Sequence, residues 1–91
     1  MESVVALTNL ESEEVTPTCP VLEQDGSRIQ LKVPKYLNVG SAVKIEADDT
    51  MSLGEICHCR SDGEGYIVWV DLFQALHNVA ELSRLARALL G

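Results

Sequence analysis

The stretch Val39–Phe73, VGSAVKIEADDTMSLGEICHCRSDGEGYIVWVDLF, decides the fold. It divides into three β-prone runs, each ended by acidic or glycine-rich turn chemistry. Ser41–Ala47 alternates around Val43 and Ile45 and is broken by Asp48-Asp49-Thr50. Met51–Arg60 follows and is broken by Ser61-Asp62-Gly63-Glu64-Gly65, after which Tyr66–Phe73 is rich in β-branched and aromatic residues. Short apolar runs bounded by Gly, Asp and Ser clusters predict antiparallel strands joined by hairpins.

Working outward toward the N-terminus, Arg28–Val33 (RIQLKV) alternates cleanly, with Ile29, Leu31 and Val33 against Arg28, Gln30 and Lys32. That period of two is a half-buried strand. Gln24-Asp25-Gly26-Ser27 before it is a turn signal. Val15–Glu23 holds Pro17 and Pro20; because proline cannot donate to a ladder, an edge strand or irregular extended segment is expected. Glu2–Asn9 supplies a short first strand, and Leu10–Glu14 an acidic turn.

Toward the C-terminus the period changes. Val79, Leu82, Leu85, Ala86 and Leu89 recur at helical spacing, with Glu81, Ser83, Arg84 and Arg87 opposite. Asn78 suits an N-cap with Glu81 three residues on, which predicts a helix over 78–90. Gln74–His77 reads as an extra turn or a linker. The sum is one all-β domain over 1–91, with five or six antiparallel strands within 3–73 and a C-terminal helix. Strands of this number and length close most readily into a small barrel, which also removes exposed edges.

Composition bounds function. The 91 residues carry a net charge of −7, and the hydrophobic fraction of 46% is ample for a packed interior. Six acids and no Lys or Arg lie between Met1 and Asp25. This balance argues against nucleic acid, whose phosphates need clustered bases, and against anionic lipid. No apolar run approaches the ~20 residues that span a bilayer, and the N-terminus lacks the basic start of a secretory signal. Three cysteines (Cys19, Cys57, Cys59) are too few for a disulfide scaffold, so a reducing, cytoplasmic setting is expected.

The residues from Leu37 to Leu90 resemble the PilZ domain, the bacterial cyclic di-GMP receptor family. LNVGSAVKIE (Leu37–Glu46) is similar to its valine-glycine-serine entry into a V-x-I strand. DDTMSLGEICHCRSDGEGYIVWVDL (Asp48–Leu72) is similar to the hairpin that follows. The resemblance implies a six-stranded antiparallel β-barrel with a C-terminal α-helix, in agreement with the pattern above. It also implies roles in motility, pili, biofilm or related bacterial signalling.

The family's ligand motifs are degenerate here. Nothing before Arg28 is basic, so the R-x-x-x-R that clamps phosphates is missing. The D/N-x-S-x-x-G motif falls on Glu23-Gln24-Asp25-Gly26-Ser27-Arg28. Glu23 takes its acidic place, Asp25 stands where serine belongs, and Arg28 stands where glycine belongs. Losing two Arg–phosphate contacts, worth about 1.5–3 kcal/mol each, moves micromolar binding beyond millimolar. Conventional cyclic di-GMP binding is therefore not expected. The alternative is a receptor that uses Arg28, Lys32 and Lys35 in place of the lost arginines.

Trp69 stands where the family often has glycine. It shares a strand face with Ile67, Asp71 and Phe73, while the more uniformly apolar Tyr66, Val68, Val70 and Leu72 form the core face. Trp69 is then expected outside, in a position suited to an interface, with Phe73 beside it. Cys57-His58-Cys59 puts two sulfurs on one strand face and His58 on the other, which is not a four-ligand metal site. No nucleophile–base spacing supports catalysis, and the acids of the two hairpins explain themselves as solvated turns. The expectation is a non-enzymatic adaptor without metal or cofactor, binding a partner protein or a second copy of itself.

Overall fold

A computed structural model of the chain describes residues 3–48 and 50–77. Six strands run in order: β1 (Val4–Asn9), β2 (Val15–Asp25), β3 (Arg28–Val33), β4 (Ala42–Ala47), β5 (Thr50–Asp62) and β6 (Gly65–His77). They form a closed antiparallel barrel in the order β1-β2-β3-β6-β5-β4, with β4 returning to pair with β1. The helix expected over 78–90 lies outside the described residues. Among the described residues no helix is long and apolar enough to cross a membrane.

The hairpins follow from turn chemistry. Asp25 pairs with Arg28 across Gly26-Ser27, and Asp62 pairs with Gly65 across Gly63-Glu64. Gly26 (φ 60°) and Gly63 (φ 62°) each take the first loop position, and only that position is left-handed. This is the type II′ arrangement, whose twist matches the flanking strands. Asp48 takes the corresponding place after β4 with φ 49°.

Alternation fills the interior. Leu7, Cys19, Leu31, Val43, Ile56, Val68 and Val70 are fully buried, and Val5, Ile29, Val33 and Ile45 complete the core. The inward set of β3 is Ile29, Leu31 and Val33, so Arg28, Gln30 and Lys32 face out, as their period of two requires. Leu37, from the segment between β3 and β4, packs under the same core.

Two expectations are corrected. The first concerns β2, which is not an edge strand. Its first half pairs with β1 and its second half with β3. Pro17 falls in an irregularity of the β1–β2 ladder, and Pro20 where the strand changes partner. Val21 donates its N–H to the Ser3 carbonyl on the β1 side. The Pro20 nitrogen therefore points the other way, beyond the last paired residue of β3, and its missing donor costs no ladder bond. The second correction is that Gln74–His77 is neither turn nor linker. It continues β6 and pairs with Thr50–Leu53 after a register shift that leaves Phe73 unmatched.

Candidate functional site

The outer surface of β2, β3, β6 and β5 carries the residues that the sequence singled out, Lys35 excepted. Register sets them in rows. One row reads Glu23–Gln30–Trp69–His58 across four strands, and the next reads Asp25–Arg28–Asp71–Glu55. Trp69 lies between the buried Val68 and Val70 on β6, so its indole must face out, and it is half-buried there. Phe73, four residues on, is 65% exposed.

On the β5 side the indole is covered by His58, with ring centroids 4.8 Å apart, and by the Arg60 guanidinium 5.4 Å from the ring centre. On the β3 side a cavity of about 230 Å³ opens, lined by Glu23, Asp25, Arg28, Gln30 and Trp69. Gln30 Nε2 donates to Glu23 Oε2 at 2.9 Å, and Arg28 Nε donates to Asp71 Oδ1 at 2.8 Å. The hydrogen bond and charge of Asp71 raise the Arg28 pKa, and Arg28 in return holds the Asp71 carboxyl below the usual range.

A β-bulge shapes the β5 side of this face. Ile56 pairs with Val70 and His58 with Trp69, so Cys57 is the extra residue. The bulge shifts the alternation by one. His58 and Arg60 turn out, and Cys59 packs against the core. The Cys57 thiol donates to the Trp69 carbonyl at 3.2 Å and stands near the Arg28–Asp71 pair. The expectation that both sulfurs share one face is thereby corrected: a uniform period of two cannot anticipate an inserted residue. Burial and the Asp71 charge raise the Cys57 pKa, the reverse of what a thiolate nucleophile needs. Among the described residues no three of His, Cys, Asp and Glu stand close enough to hold a metal ion.

Glu23, Asp25, Arg28 and Trp69 therefore meet at one cavity, whereas Lys32 and Lys35 do not. Lys32 donates to Asp62 Oδ2 at 2.7 Å and lines an apolar depression with Pro17, Pro20 and Pro34. Lys35 is 3.5 Å from Glu14 and lines a third depression with Tyr36 and Asn38. Gln30, His58 and Arg60 are members of the face that pattern reading missed, whereas alternation already sets Asp71 on the same face as Trp69. The alternation put Gln30 outside, but only the cross-strand register could set it beside Trp69.

Searches of protein-family models, curated proteins and solved structures find no match to this chain.

Proposed function

We propose that this chain is a non-enzymatic interaction module, a PilZ-like adaptor of bacterial cytoplasmic signalling, that engages a partner protein through the outer face around Trp69 and Phe73. The observation that carries the reading is the half-buried Trp69, flanked by an open cavity with polar walls rather than sealed into the core. A large aromatic set among polar side chains is the composition of interface hot spots. The Cys57 thiol, with its pKa raised, gives no support to catalysis.

Nor does the arrangement favour cyclic di-GMP. A dianion would meet Glu23 and Asp25 at the cavity, and Arg28, Lys32 and Lys35 each already face a carboxylate. Two measurements test the reading. Calorimetric titration with cyclic di-GMP is expected to give no heat up to high micromolar ligand. Micromolar binding would hand the site to the dinucleotide. Affinity capture with the intact chain and with Trp69→Ala is expected to yield a partner that only the former retains. Equal retention by a folded Trp69→Ala variant would remove Trp69 from the interface.

A further inference from the structure

We infer that the cavity beside Trp69 receives a lysine or arginine side chain from a basic segment of the partner protein. This rests on the interaction reading above and adds the chemistry of the occupant. The cavity, at about 230 Å³, is below the roughly 300–1,000 Å³ of small-molecule sites and suits the end of one long side chain.

Its walls select the charge. Among the described residues neither Glu23 nor Asp25 is in an ion pair, and Glu23 receives only the neutral amide of Gln30. The one cation of the lining, Arg28, is held by Asp71. Glu55 stands next to Asp71 in the same row and adds negative charge. Trp69 lines the cavity as well, and an indole ring attracts an ammonium or guanidinium set over its face.

The described part of the chain has no cation to spare for these carboxylates. Lys32, Lys35 and Lys44 are paired with Asp62, Glu14 and Glu46, and Arg60 already lies over Trp69 from the β5 side. A net charge of −7 further favours a basic partner and speeds its approach.

Trp69 is the chain's one tryptophan, so its emission reports on the cavity directly. The experiment titrates the full chain, in moderate salt, with a capped peptide of alternating glycine and lysine, and separately with its glutamate counterpart. Saturable change with the lysine peptide alone is expected. Glu23→Gln/Asp25→Asn is expected to weaken it by at least about tenfold, the loss of one charge-assisted contact. Glu13→Gln/Glu64→Gln removes the same charge elsewhere and is expected to leave it unchanged. Both pairs are exposed, and an unaltered melting temperature verifies the fold.

No change with the lysine peptide, or equal weakening by both variants, overturns the inference. Binding of the glutamate peptide overturns it too, yet keeps Trp69 as a docking face. The remaining basic residues, Arg84 and Arg87, define the last arm. If Arg84→Gln/Arg87→Gln shifts Trp69 emission and the peptide does nothing, the occupant is the chain's own 78–91 segment and the partner is excluded.

Discussion

Gly54 is the residue whose replacement tests the β5–β6 packing beneath the Trp69 face. A Cβ at this position would lie 2.6 Å from the Asp71 carbonyl oxygen and 2.8 Å from Val70 Cγ1. Real Cβ atoms do not approach so closely, and the nearer obstacle is backbone, which no rotamer change can move aside. Forcing a methyl group into a packed site costs about 1–3 kcal/mol. Reduced freedom of the unfolded chain returns about 0.4–1 kcal/mol for Gly→Ala, since φ here is not left-handed. The net loss is about 1–2 kcal/mol, which for a domain of this size lowers the melting temperature by roughly 5–15 °C.

Thermal unfolding followed by circular dichroism reads the effect. Two comparisons isolate the cause. Val70→Ala removes only the side-chain obstacle, so the Gly54→Ala penalty is expected to persist largely undiminished in that background. Gly63→Ala, at φ 62° with nothing within 4 Å, is expected to cost only the left-handed backbone strain of about 1–2 kcal/mol. A Gly54→Ala protein as stable as the parent would refute the close approach of β5 to the Asp71 backbone.

Three further outcomes are expected. Ile56→Ala empties a fully buried position and is expected to cost about 2–5 kcal/mol in chemical denaturation, against a much smaller effect of Glu55→Ala on the exposed side. Asp71 and Asp62 bind protons less readily in the folded state, because Arg28 and Lys32 hydrogen-bond to them. Their contribution is present above the ordinary carboxylate pKa and is lost as pH falls through the lowered folded values, so Asp71→Asn is expected to flatten the acid limb of melting temperature against pH. Cys19 is fully buried and its thiol is pushed up by desolvation, so alkylation mapped by mass spectrometry is expected to spare it in the folded protein and reach it on unfolding.

Much of the barrel was legible because the period of two survives in most strands. RIQLKV separates its faces without exception, and the Asp25-Gly26 and Asp62-Gly63 pairs mark two hairpins at the residues where they occur. The outward position of Trp69 also followed from alternation, since Val68 and Val70 demand the interior. What escaped was anything that breaks the period or depends on distant pairing. The inserted Cys57 breaks the expectation that the two sulfurs share a face, and the unmatched Phe73 hides the continuation of β6 through Gln74–His77. Pro17 and Pro20 read as signs of an edge, yet a partner change and a ladder irregularity accommodate them inside a closed sheet. The candidate site was legible in its members Glu23, Asp25, Arg28 and Trp69. Their meeting at one cavity, apart from Lys32 and Lys35, is a consequence of register that no single strand encodes.

The central claim is that Trp69 faces outward as a docking residue, and quenching of its fluorescence tests this most directly. With a single tryptophan and excitation at the red edge, where the two tyrosines do not absorb, the signal comes from this one indole. Emission characteristic of a partly solvated indole, quenched by acrylamide in the free protein and shielded when a partner binds, is the expected result. Blue-shifted emission that acrylamide and iodide leave untouched would place Trp69 in the interior and contradict the account.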